Sequence, residues 1–272
     1  MAYGFKDFGQ KATQTSLSIR SIIDGVELEK TFNSKAFRLI TASVAGRGTV
    51  TYRTEVSEVF GKDGAMPRGH SLSTRTIVIR AYVRAETNED YRKGMSELNA
   101  LLASGEIRAL KFTDDTAHTY YGICQRVEDD GEKSNAQFVE IEFMCADPYK
   151  YTAVKTITTT NSQALTVDTH FAVVPEEIKI VFNSATDARS FSMNNTTTGN
   201  RIVFESPSTA SSATITIRQK DDYIGYTASV NHIAGLNVRQ SHFDEFAIKT
   251  GDRLVVTPAP KEIQLKYEGA KL

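Results

Sequence analysis

Tryptophan is absent from this chain of 272 residues, and cysteine occurs only twice, as Cys124 and Cys145. Without tryptophan the broadest platform for stacking a sugar ring is missing, which counts against a lectin. Both cysteines lie in strand-like segments and could be neighbours; they are expected as reduced core thiols of a protein made in a cytoplasm. No segment approaches the roughly 18 consecutive apolar residues that a membrane-spanning helix needs. The opening Met-Ala-Tyr-Gly-Phe-Lys-Asp-Phe lacks the apolar core of a signal peptide, so synthesis in the cytoplasm without a cleaved leader is expected. An excess of one charge is also lacking. The net charge is -1, and neither half is basic enough to drive non-specific binding to nucleic acid or membrane.

Catalytic patterns are missing as well. His70, His118, His170, His232 and His242 never form the paired arrangement of a zinc hydrolase helix. The paired carboxylates Asp129-Asp130 and Asp221-Asp222 sit in hydrophilic stretches that read as solvated turns. Gly46-Arg-Gly48 has no third glycine opening a helix, so it is not a dinucleotide fingerprint. A phosphate-binding Gly-Lys-Ser/Thr loop and a Gly-x-Ser-x-Gly elbow are both absent. The sequence therefore predicts no enzyme, no cofactor and no metal. Tyr223 and Tyr226 are the best candidates for an exposed sugar platform, but Asp222-Tyr-Ile-Gly-Tyr226 reads at least as well as strand and turn.

What is present is β-pattern, one helix and a stop. In Gln137-Phe-Val-Glu-Ile-Glu-Phe-Met-Cys145, Val139, Ile141, Phe143 and Cys145 recur at period two, as a half-buried strand requires. Pro148 then denies a ladder hydrogen bond and pushes Asp147 toward an extended conformation. Asp147 and Pro148 are read as the junction between two domains, 1–150 and 151–272. The first domain is α+β. Ile77, Ile79, Ala81 and Val83 alternate with Arg80, Tyr82 and Arg84, the clearest strand in the chain. Thr87 reads as an N-cap, followed by acids in the first turn. Tyr91, Met95, Leu98 and Leu102 then mark one helix face, and Gly105 a stop. Gly94 inside that helix reads as a cost of up to about 1 kcal/mol relative to alanine. Residues 37–44 and 49–56 flank Ala45-Gly-Arg-Gly48, which suits a hairpin or a mobile loop, followed by a glycine-punctuated loop over 61–70. The second domain carries no convincing amphipathic helix. Its candidate strands at 154–159, 164–167, 177–182, 201–205, 213–218, 254–257 and 262–267 suggest an all-β sandwich or barrel.

A family emerges from the order of these pieces. After the capped helix come Leu110-Lys-Phe-Thr-Asp114, the aromatic return Tyr120-Tyr-Gly122, and Ile141-Glu-Phe-Met-Cys-Ala-Asp-Pro-Tyr149. The chain closes with Phe243-Asp-Glu-Phe246, Lys249-Thr-Gly-Asp-Arg-Leu-Val-Val256 and Ile263-Gln-Leu-Lys-Tyr267. This resembles the distal tail proteins of bacteriophages with long non-contractile tails, the hub of their tail tip or baseplate. Glu stands where that family commonly has Pro, and Arg253 where Asn is common. The resemblance implies a tail-tube-like first domain, a β-sandwich or barrel with one helix, and a galectin-like β-sandwich as the second. It implies a homo-hexameric ring in the virion, joined to a tail tube protein, a tail tip protein and a receptor-binding protein, with DNA crossing the channel unbound. Arg47, Lys62 and Arg68, in the two glycine-rich loops, are the candidate contacts to neighbouring subunits or the tube. The rival reading is a carbohydrate-binding accessory module for host cell-wall recognition.

Overall fold

The computed structural model describes residues 19–58, 60–61, 63–131, 134–206, 211–226 and 230–272. It is built mainly of strands, in several sheets, and divides between Lys150 and Tyr151 into two compact units. Among the described residues no helix is long and apolar enough to cross a membrane.

The first unit contains β1 (Ser21–Ile23), β2 (Val26–Glu27), α1 (Leu28–Thr31), β3 (Phe37–Ala45), β4 (Tyr52–Glu58) and β5 (Ala65–Leu72). These are followed by β6 (Arg75–Ala85), α2 (Asn88–Leu102), β7 (Arg108–Phe112), β8 (Asp115–Asp129) and β9 (Ala136–Cys145). The main sheet runs β2-β1-β7-β8-β9-β6-β3, with antiparallel neighbours. β6 lies between β3 and β9, and its buried residues Ile77, Ile79, Ala81 and Val83 lie opposite Phe143, Ile141, Val139 and Gln137 of β9 in register. β8 is long enough to serve two neighbours. Its first half pairs with β7 and its second half, beyond Gly122, with β9; a bulge between Cys124 and Arg126 bends it on the way.

Thr87 caps α2 by accepting the Asp90 amide at 3.1 Å, and Tyr91, Leu98 and Leu102 are buried as the stripe requires. Gly94 is buried too, and its role differs from the sequence reading. A Cβ there would sit 2.2 Å from Cδ2 of Phe37, so the missing side chain is where the ring of β3 seats against the helix. Alanine normally strengthens a helix relative to glycine by about 1 kcal/mol. Here Gly94→Ala should instead destabilise by about 1–3 kcal/mol through overpacking, measurable as a lower midpoint in urea. A variant more stable than the parent would show that Phe37 can swing away at no cost.

Of the two readings of Ala45-Gly-Arg-Gly48, the hairpin does not form. β3 pairs with β6, whereas β4 pairs only with β5. The chain at Gly46 runs hard against β6, where a Cβ would fall 1.8 Å from the Thr76 carbonyl oxygen, and Gly46 holds φ +86. That close passage carries the chain along β6 instead of folding it back on β3. The stretch 61–70, expected as a loop, is a turn only at its start; from Ala65 it is β5.

The second unit holds β11 (Lys155–Thr159), β12 (Glu177–Val181), α3 (Ala185–Arg189), β13 (Ser190–Asn195), β14 (Arg201–Glu205) and β15 (Thr214–Arg218). It continues with β16 (Tyr223–Gly225), β17 (Leu254–Thr257), β18 (Glu262–Tyr267) and β19 (Ala270–Lys271); β10 (Lys150–Thr152) lies at the boundary. A five-stranded sheet runs β11-β18-β12-β15-β16 and a three-stranded one β14-β13-β17. Phe182, just after β12, meets Phe191 of β13 at 5.5 Å, and Phe191 meets Phe204 of β14 at 5.4 Å, so aromatic rings join the buried faces of the two sheets. Residues 164–167, expected as a strand, make only an isolated bridge from Ala164 to Arg253.

Candidate assembly surface

Among the described residues, β4 and β5 form a ribbon with no third strand. Every residue of β4 except Ser57 is exposed, which means both faces of the ribbon are open. Tyr52, Val56, Phe60 and Met66 stand out among the exposed large apolar side chains. An isolated two-stranded ribbon is at best marginally stable in water. This one is braced locally: Tyr52 stacks on His70 at 4.9 Å, and the Thr54 hydroxyl lies 3.2 Å from Nδ1 of His70. Pro67 is tolerated because it lies where the register slips, opposite Val56 on a strand with no outer neighbour. Arg68 is the extra residue in that slip, and its Nε donates to the Ser57 hydroxyl at 2.9 Å.

Arg47 is held differently. Its guanidinium donates to both carboxylate oxygens of Asp114, at 2.7 and 2.9 Å, and lies 4.7 Å from the centre of the Phe112 ring. Burial works against its charge, and the Asp114 carboxylate more than offsets this, so its pKa lies above the ordinary arginine value. The Arg47 side chain is therefore engaged within its own chain, in contrast to the exposed Arg68. Lys62 lies outside the described residues. Arg47 and Arg68 are thus held by different partners, Asp114 and Ser57.

At the junction, the Asp147 carboxylate accepts the Tyr149 amide at 3.1 Å, a local turn that Pro148 favours. The Pro148 carbonyl accepts from Nε of Arg75 at 2.7 Å. Arg75 is only 4% exposed, and its Nη1 also donates to the carbonyls of Gly46, at 3.2 Å, and Arg47, at 2.6 Å. Sequence reasoning missed Arg75, because its neighbours in the chain show a strand and nothing else. It also missed Glu29. That carboxylate accepts the Ser21 amide at 3.1 Å and the Thr41 amide at 3.3 Å, together with the Thr41 hydroxyl. One side chain of α1 thereby ties β1 to β3.

The two thiols are free. Cys145 is fully buried, and burial pushes its pKa up to about 11. Tyr223 and Tyr226 are buried as well, so neither is the exposed sugar platform that was the rival to the strand-and-turn reading. Tyr223 lies beneath the Arg218 guanidinium at 4.0 Å, and Tyr226 donates to the Ala188 carbonyl at 3.3 Å.

Residues 26–145 match the family model of the phage tail protein RIFT-related domain. The distal tail protein of Bacillus phage SPP1 is 30% identical over 142 residues, which make up 51% of this chain and 56% of that protein. The first unit is thus similar, by both comparisons, to phage distal tail proteins. The match spans little more than half the length of that relative. The crystal structure of SPP1 Dit superposes with a TM-score of 0.76 at 21% identity, covering 93% of this chain and 99% of that one. A chain of the phage p2 baseplate in its activated conformation with calcium gives a TM-score of 0.50 at 12% identity, covering 92% of this chain and 98% of that one. The first of these likenesses establishes that the mainly β fold, in both units, is that of SPP1 Dit.

Proposed function

We propose that this protein is a structural hub of a phage tail tip, a hexameric ring that joins the tail tube to the tip or baseplate and lets DNA pass. The observation that carries this reading is the similarity of the first unit to a distal tail protein. SPP1 Dit is described as a paradigm of the hub adsorption apparatus of phages infecting Gram-positive hosts. In this reading residues 1–150 form the tail-tube-like ring domain. Residues 151–272 form a galectin-like sandwich that projects outward and offers an attachment surface to receptor-binding or tip components. The partners are further copies of the chain, a tail tube protein and a tail tip protein. The setting is the virion, after synthesis in the host cytoplasm. No catalysis and no cofactor enter the role.

The ribbon of β4 and β5 supports it. Tyr52, Val56, Phe60 and Met66 are exposed on or beside a ribbon that has no further strand among the described residues, and such surfaces mark interaction sites. Arg68, re-aimed by the register slip, lies on the same ribbon; Lys62 lies between β4 and β5 in the sequence, outside the described residues. Both are read as contacts at the subunit or tube interface. Arg47 acts indirectly, by anchoring the turn that carries the chain from β3 to the ribbon. Burial of Tyr223 and Tyr226 weighs against the carbohydrate-binding alternative.

Solution mass and low-resolution images of the purified chain, alone and with its tube partner, test the reading. Closed rings with outward lobes are expected. Deleting residues 62–67 should leave a folded protein that no longer forms rings or joins tails. A parent chain that stays monomeric even with the tube protein would sink the ring, and a deletion variant that still closes rings would sink the role of the ribbon.

A further inference from the structure

Two like-charge pairs face each other across neighbouring strands of the first unit. Arg38 of β3 lies directly opposite Arg84 of β6, and Glu128 of β8 directly opposite Glu140 of β9. Like charges in that position destabilise a sheet. Arg38 and Arg84 are both exposed, and among the described residues neither side chain makes an ion pair or hydrogen bond. Lys35, on the same side of an open depression lined by Arg38 and Arg84, is held by Glu86 at 3.4 Å. The acidic pair is only partly relieved, by Arg126 at 2.9 Å from Glu128 and by Arg80 at 3.6 Å from Glu140.

The placement of the two pairs is complementary. In the strand order β8-β9-β6-β3 the acidic pair occupies one flank and the basic pair the other. Both lie on the sheet face opposite the core, because Arg84 and Glu140 alternate with the buried Val83 and Val139. β3 is the last strand in this order, with Asn33 bridged to Arg38 on its outer side, and β8 pairs with β9 from Ile123 to Asp129. Backbone pairing with a newcomer is restricted at β3. The outward amide of Leu39 already donates to the Phe32 carbonyl at 2.8 Å, and that of Thr41 to Glu29 at 3.3 Å. Side-chain charge is what this flank has left to offer.

We propose that the Arg38–Arg84 pair of one copy binds the Glu128–Glu140 pair of the next, as a head-to-tail contact between side-by-side copies of this chain. The inference rests on the ring reading above and names the residues that make the contact. Opposite flanks of the same sheet meet, so the contact is heterologous and propagates from copy to copy, closing when the rotation allows. The repulsion within each pair, unrelieved in the lone chain for the basic pair and partly relieved for the acidic one, turns into attraction between copies. The contact steers orientation and weakens with salt.

Charge swapping tests it on the full chain. The variants are Arg38→Glu with Arg84→Glu, and Glu128→Lys with Glu140→Lys. Each exchanges one like-charge pair for another; the melting midpoint should stay near the parent's for the arginine swap and fall modestly for the glutamate swap, which also loses its ion pairs to Arg126 and Arg80 while leaving a folded chain. Each alone should assemble at least about tenfold more weakly by light scattering at low salt. Mixed in equal amounts, the two should recover assembly, because every contact in an alternating ring then joins opposite charges. Parent-like assembly of either variant alone would overturn the inference while leaving the ring intact. So would failure of the mixture when both variants are folded. Loss of binding to short duplex DNA by the Arg38→Glu, Arg84→Glu variant, with assembly unchanged, would reassign the basic pair to phosphate and also overturn it. A parent chain that never assembles would instead sink the ring reading on which the inference rests.

Discussion

Leu98→Ala is expected to lower the stability of the first unit by roughly 2–5 kcal/mol, the sum of lost transfer free energy and the cavity left behind. Leu98 is 0% exposed and belongs to the buried cluster that includes Ile77, Ile79, Phe37 and Phe143. The upper part of the range applies where the surroundings cannot collapse, and two features oppose collapse here. β6 is fixed on both sides by β3 and β9, and the Phe37 ring fills the gap over Gly94, one turn before Leu98. The helix therefore cannot slide toward the sheet without driving backbone into that ring. Lys93, exposed on the opposite side of α2, should tolerate alanine within about 0.5 kcal/mol. Because the chain has two compact units, the melt is best read as two transitions, of which only one should move. Equal losses at Leu98 and Lys93 would mean that the buried face of α2 is wrongly assigned.

The elements legible in the sequence are those whose burial is written in their own residues. β6 and β9 alternate strictly, and α2 carries both its cap and its stripe, so position in the chain was enough. Pairing is a different matter. Nothing within β3 or β4 says which strand each will join, and proximity in sequence pointed to the wrong partner; the deciding contact is Gly46 against Thr76, thirty residues away by number. β13 was missed because Ser190, Ser192, Asn194 and Asn195 mask the buried Phe191 and Met193. One of those polar residues, Asn195, is itself buried, where its amide donates to Asp252 at 2.8 Å. The same limit governs the site. The glycine-rich character of 45–48 and 61–70 drew attention to the right surroundings, but not to the difference between a tethered Arg47 and an exposed Arg68. Arg38 and Arg84 are unremarkable in sequence, and only register makes them a pair.

Arg75 gives the second large effect. Replacing it with methionine keeps the length and the apolar stem of the side chain and deletes every donor. The carbonyls of Gly46, Arg47 and Pro148 then lose a charged partner. Hydrogen bonds to a charged group contribute about 1.5–3 kcal/mol each, so three could approach the stability of a small domain. Several things reduce that total. The Arg47 carbonyl retains the Tyr120 hydroxyl at 3.3 Å, and the carbonyls at Gly46 and Pro148 are half-buried, within reach of water. Removing a buried guanidinium whose Nη2 has no partner also recovers some desolvation cost. The net expectation is a loss of about 2–4 kcal/mol. Arg75→Lys should fall between, since an ammonium keeps the charge but cannot fork to three carbonyls as a planar guanidinium does. Denaturant midpoints for the parent and both variants check the order parent, lysine, methionine. Arg75→Met as stable as the parent would mean that the guanidinium is merely tolerated. A lysine variant as poor as methionine would mean that geometry, and not charge, is what joins the turn at Gly46 to the chain's exit at Pro148.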